Sequence, residues 1–264
     1  MPKVSISQAW DETRAVLVRD GRLIASVALA LIVLPGVVLN VLVPNGVTVG
    51  TGQQAAWVAL GLLVLLLTFI GQLSVLRLAM GPHIAVGEAI RHASFRVLPF
   101  LGAFVLWVVP FLVLGSVPYT IIRSHPADAS TAAGIGLLAV MAAAMFLAIR
   151  LLLIGPVASA EPGGSLKIIR RSWELTEGNW WRLFGFVLMF AIGAMVLILA
   201  VSNGLGLVAR LTIGPVTPLS VAGLVLVLIA QLLTAGIYVV LFVMQARIYQ
   251  QLAGTHEGRT GLLR

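Results

Sequence analysis

Four histidines, nine acids and 17 Lys or Arg residues are the groups able to carry chemistry in this 264-residue chain. A metal centre needs ligands at set spacings, and His83, His92, His125 and His256 contain no i, i+4 pair on a helix. Cysteine is absent, which excludes disulfides, thiolate metal sites and a thiol nucleophile. Gly204 and Gly206 lack the strand-then-helix setting of a phosphate loop. All but one of the nine acids lie on one side of the layout derived below, mostly beside Lys or Arg, as on a solvated helix face. None lies deep in an apolar run, so the proton-relay signature of an ion-driven transporter is missing. The sequence therefore predicts no enzyme, no metal and no cofactor.

Arginines are the better candidates. Arg77, Arg150 and Arg247 each end an apolar run in a similar setting, Leu76-Arg77-Leu78, Ile149-Arg150-Leu151 and Ala246-Arg247-Ile248. A guanidinium matches a phosphate bidentately, so these positions suit lipid headgroups or another anion. The alternative is snorkelling, with the stem along the helix and the charge at the interface. Gln72, Gln231, Thr234, Tyr238 and Gln245 lie in or near apolar runs and suit interhelical hydrogen bonds, or else a polar cavity.

The elements that position these residues follow from composition. Hydrophobic residues make up 60% of the chain and charged ones 10%, too little charge for a water-facing surface. Six apolar runs, about Leu23–Val43, Ala55–Leu76, Val97–Val117, Ala132–Leu153, Leu183–Val201 and Val221–Ala246, are each long enough to cross a bilayer as a helix. Pro35 and Pro110 fall inside them. The first run follows Asp11, Glu12 and Asp20 and exceeds a signal-peptide core, so it is expected to be retained. All but two of the 17 basic residues lie at the termini, in the second and fourth loops or at the span ends beside them; Arg123 and Arg210 are the exceptions. The positive-inside rule then predicts cytoplasmic N- and C-termini in a plasma (inner) membrane. The net charge of +8 is explained by that asymmetry, with no nucleic-acid partner required.

Three amphipathic stretches each precede a pair of spans. The first carries Ile6, Trp10, Thr13 and Leu17 on one face, with Ser5 and Gln8 at capping-box spacing. The second carries Val86, Ile90, Ala93 and Val97 and is opened by Gly81-Pro82. In the third, Lys167, Arg170, Arg171, Glu174 and Glu177 share an arc opposite Leu166, Ile168, Ile169, Trp173 and Leu175. Such a helix lies in the headgroup plane or packs on the inner span ends. Trp173, Trp180 and Trp181 read as interfacial anchors. Gly81-Pro82 and Gly155-Pro156 are expected to break the helices after Arg77 and Arg150. The pattern predicts an all-α fold of six spans and three cytoplasmic interfacial helices. It also predicts a threefold internal repeat, with units at about 4–80, 82–154 and 162–252 and a tail at 253–264.

The run Ser172-Trp173-Glu174-Leu175-Thr176-Glu177-Gly178-Asn179-Trp180-Trp181-Arg182-Leu183-Phe184 resembles the S-W-x-L-T-x-G-x-x-W-R-L-F stretch of the membrane domain attached to some glycerophosphoryl diester phosphodiesterases. Ala246-Arg247-Ile248-Tyr249-Gln250-Gln251-Leu252 is similar to the A-x-x-Y-x-Q-L close of the same family. In the fused enzymes catalysis belongs to a soluble barrel domain, so the resemblance implies a bacterial inner-membrane fold and carries no catalytic residue to this chain.

The function these features suggest is a non-enzymatic membrane protein engaged with lipids. Anionic headgroups would meet Arg77, Arg150, Arg247, Lys167, Arg170 and Arg171. A transporter of a small or lipidic substrate and a scaffolding subunit, with a protein partner or as a homo-oligomer, are the alternatives.

Overall fold

A computed structural model describes residues 4–42, 51–81, 84–124, 131–212 and 220–261, and every regular element among them is helical. Six helices are long and apolar enough to cross a membrane: Ile6–Leu42, Gln54–Met80, Val86–Ser124, Ala133–Ala160, Trp180–Gly204 and Gly223–Gly254.

The first of these is one continuous rod, α1 (Ile6–Ala28), a π-helical turn at Leu29–Val33 and α2 (Leu34–Leu42). Its amphipathic start is therefore no separate surface helix. Pro35 explains the π turn. Its ring would strike the Leu31 carbonyl of a regular helix, and the widened turn, in which the Leu34 N–H reaches back to the Leu29 carbonyl, makes room. Half of the capping box forms. Ser5 Oγ accepts from the Gln8 N–H at 3.3 Å, while the Gln8 side chain turns away to Glu12 at 2.9 Å.

The second amphipathic stretch also runs unbroken into its span, as α4 (Val86–Ser124), with Pro99, Pro110 and Pro118 inside it. It follows α3 (Thr51–Met80). Pro82 lies outside the described residues. Only the third stretch is a helix of its own, α7 (Ser165–Thr176), with extended backbone at Gly164 before it and at Glu177 after it.

The fourth span departs from expectation. The helix α5 (Thr131–Arg150) ends at Arg150, a turn occupies 151–153, and α6 (Ile154–Ala160) follows with Gly155-Pro156 inside it. The break thus precedes Gly155-Pro156. Pro156 sits in the first turn of α6, where its missing N–H has no intrahelical partner to lose. Four residues back, Leu152 falls in the turn, where the ring would otherwise meet a helical carbonyl. The chain continues through α8 (Trp180–Thr212) and α9 (Val221–Gly261).

Packing is concentrated where the arginines are. Leu73, Leu76, Ile149, Leu153, Ile168, Leu175, Leu183, Ile248 and Leu252 are fully buried there. Towards the other end of the spans, Leu112, Val113, Leu138, Met195 and Val221 are exposed, a surface suited to hydrocarbon.

Candidate functional site at the arginine-bearing helix ends

The three arginines end in three different environments. Arg247 is turned into the protein, with only its buried Nε left without a partner among the described residues. Its guanidinium donates to the Ala79 carbonyl at 2.6 Å and to Gln250 Oε1 at 2.7 Å, and Gln250 Nε2 donates to the Met80 carbonyl at 3.0 Å. Those carbonyls are orphans at the C-terminus of α3, and a cation there also meets the negative end of the helix dipole. The side chain of Arg77, half-buried near the same end of α3, makes no hydrogen bond or ion pair among the described residues.

Arg150 is the unusual one. Its guanidinium carbon lies 5.0 Å from the Trp173 ring and 5.7 Å from the Phe146 ring. Nε and Nη1 are buried and have no hydrogen-bond partner among the described residues. The rings supply cation–π attraction, but they do not replace the lost water hydrogen bonds. The Arg150 backbone is better served. The turn at 151–153 diverts the Ile154 N–H to Leu151 O, and the freed Arg150 carbonyl accepts from the Ser172 hydroxyl at 3.1 Å. It lies 3.1 Å from the Thr176 hydroxyl as well, whose single hydrogen is shared with the Ser172 and Trp173 carbonyls at 3.0 and 3.1 Å.

That pair of bonds docks α7 against the broken span. Ile168, Ser172, Leu175 and Thr176 form its buried face. Arg171 pairs with Glu161 at 2.9 Å, and Tyr249 donates to the same carboxylate oxygen at 3.0 Å. Burial opposes the Arg171 charge. The hydrogen bond and charge of Glu161, helped by Tyr249 and Glu174, more than offset it and raise the pKa above the usual arginine value. Arg171 therefore stays charged at any physiological pH. Arg170 bonds Glu174 at 3.0 Å and Lys167 bonds the Pro162 carbonyl at 2.9 Å, both on the exposed side. Leu166 and Trp173 are exposed beside them, as is Trp181 at the start of α8. Trp180 stacks on Phe184 and donates to the Phe146 carbonyl at 3.3 Å.

No family model, curated protein or solved structure matches this chain. Its chemistry has to be read from its own geometry.

Both sequence patches quoted above serve as interlocks. In the first, Ser172 and Thr176 cap Arg150, Asn179 Oδ1 accepts from the Val4 N–H at 3.3 Å, and Arg182 donates to the Val4 carbonyl at 3.1 Å. Gly178 turns the chain between α7 and α8 at φ 78°, a region that side chains disfavour. In the second, Arg247 and Gln250 cap α3, Tyr249 reaches Glu161, and Gln251 accepts from the Ser5 N–H at 3.3 Å.

Sequence reasoning missed two things. The pairing of Glu161 with Arg171, ten positions on, was one. Hydroxyl capping of Arg150 had no signal beyond the i, i+4 spacing of Ser172 and Thr176. Gln72 and Gln245, two of the residues read as suited to a polar cavity, line one together. Thr234 only bonds back to the Ala230 carbonyl of its own helix, and Tyr238 stacks on Phe242. His92 Nε2 lies 2.9 Å from the Ser159 carbonyl, so it is the protonated nitrogen. His83 and His125, and the side chain of His256, lie outside the described residues. No group of His, Asp or Glu able to hold a metal occurs among the described residues.

Proposed function

We propose that this chain is a non-enzymatic inner-membrane protein that binds anionic lipid, with the headgroup phosphate held at Arg150. Its termini, the segment after α3 and helix α7 then face the cytoplasm, following the distribution of Lys and Arg. The observation that carries the reading is the state of Arg150, a partly buried guanidinium whose Nε and Nη1 are buried with no hydrogen-bond partner among the described residues. Leaving such donors unmade costs about 1–3 kcal/mol, and a phosphate oxygen would recover it. Trp173 and Phe146, the two rings against the guanidinium, are both exposed, so an incoming headgroup can reach it by displacing surface rings.

The surroundings suit a leaflet surface. Lys167 and Arg170 project from the exposed side of α7 next to Leu166 and Trp173, so the helix offers cations and an apolar edge together. Arg77 is the second headgroup contact. Arg247 ranks behind both, because its two terminal nitrogens bond Gln250 and the Ala79 carbonyl and only its buried Nε is left without a partner among the described residues. The likeness of both patches to the phosphodiesterase-linked membrane domain agrees with a lipid setting.

Native mass spectrometry of the protein released from phosphatidylglycerol-containing nanodiscs tests this. Arg150→Gln is expected to lower phosphatidylglycerol retention several-fold, while Arg247→Gln keeps the lipid and lowers thermal stability. Retention unchanged by Arg150→Gln would leave snorkelling as a sufficient account and end the proposal.

A further inference from the structure

A second feature stands apart from the arginines. A cavity of about 210 Å³ lies among α3, α4, α9 and the break between α5 and α6. Four aromatic rings wall it, Phe69, Phe100, Phe104 and Trp107, with Phe69 edge-on to Phe100 and to Phe104 at 5.1 Å each. Two carboxamides, Gln72 and Gln245, complete the wall.

One acceptor in the cavity wall is unmet. Gln245 is only 7% exposed, and its Oε1 is buried with no donor among the described residues. At the helix break, Pro156 brings no N–H to the Leu152 carbonyl, and Leu152 also lines the space. Irregular backbone at membrane depth is tolerated where protein or a cavity surrounds it, and broken helices recur at binding sites for that reason. What Gln245 Oε1 lacks is an O–H or N–H donor.

Charge narrows the occupant further. No ionisable side chain lines the cavity, so an anion finds no cation and a cation finds no carboxylate. Arg77 and Arg247, close along the same helices as Gln72 and Gln245, oppose a cation as well. A cavity of about 150 Å³ accepts benzene, so this one is large enough for a single ring with a short polar arm. Gly155 keeps it open. A Cβ there would stand 3.0 Å from Leu76 Cδ1, 3.2 Å from Gln72 Nε2 and 3.9 Å from the Phe100 ring.

We infer that this cavity is an intramembrane binding site for a small uncharged molecule joining an apolar, ring-sized body to one hydroxyl or amide donor, which Gln245 accepts. The ligand reaches it by partition from the bilayer, and neither Arg150 nor lipid headgroups take part.

Fluorine NMR on protein in nanodiscs, with empty nanodiscs as the partition baseline, tests it. The probes are 4-fluorobenzyl alcohol and 4-fluorotoluene, which differ by the hydroxyl. Wild-type protein is expected to bind the alcohol saturably and about tenfold more tightly than the toluene, as one buried hydrogen bond requires. Gln245→Leu should erase that preference, and Gly155→Ala should weaken both probes. A wild type that binds neither probe above the baseline would show a water-filled cavity and overturn the proposal, with no variant needed. A preference that survives Gln245→Leu would overturn it equally.

Discussion

Single side chains at the basic end decide whether the helices stay locked. Gly178 holds a left-handed turn, and Gly178→Ala should cost about 1–2 kcal/mol, visible as a lower midpoint in thermal unfolding of detergent-solubilised protein. Glu161 accepts from both Arg171 and Tyr249 in a partly buried setting. Glu161→Gln removes the nearer of the two carboxylates that pair with Arg171, leaving Glu174 at 3.8 Å, and should cost about 1–3 kcal/mol, whereas Tyr249→Phe, which loses one neutral donor, should cost less. Equal losses for the two would mean that packing, and not the ion pair, holds α7 to α9. The raised pKa of Arg171 adds no titration near neutrality, because stability from a raised cation is complete below its unfolded pKa and is lost only as pH climbs through the folded one.

At the scale of elements, the break in the fourth span works because α7 supplies what the helix end lacks. Ser172→Ala with Thr176→Val removes both hydroxyls from the Arg150 carbonyl. That double change should destabilise the protein by about 1–3 kcal/mol and loosen α7, read as faster amide exchange across residues 165–176 with α3 unaffected. Legibility in the sequence varied along these same lines. The six spans were plain, because about 20 consecutive apolar residues have few other uses. Helix continuity was not. The apolar stripe at Val86–Val97 has the same period whether its helix stops before the span or runs into it, so composition marked a boundary that the backbone of α4 ignores. Gly155-Pro156 pointed to a break near the right place but three residues late, since a proline disturbs the turn before it. The three arginines were found by pattern, yet pattern could not separate Arg247, a cap, from Arg150, a donor without a partner. Local sequence is silent on what a neighbouring helix brings.

At the scale of the whole molecule, tight packing among the described residues is concentrated at the end that carries the arginines, and the opposite end of the spans exposes many apolar side chains. Substitutions should follow that gradient. Leu76→Ala or Leu153→Ala, both fully buried, should cost about 2–5 kcal/mol, while Leu138→Ala and Met195→Ala should change detergent stability by less than about 0.5 kcal/mol. The functional reading needs the packed end to face the anionic inner leaflet, and the lack of native cysteine makes that orientation directly measurable. Single cysteines at Gly164 and Glu177 on one end, and at Ser124 and Ser220 on the other, can be probed with a membrane-impermeant maleimide. The account predicts that Gly164→Cys and Glu177→Cys react only in inside-out vesicles, and Ser124→Cys and Ser220→Cys only in right-side-out ones. Labelling of Gly164→Cys and Glu177→Cys from outside would contradict it.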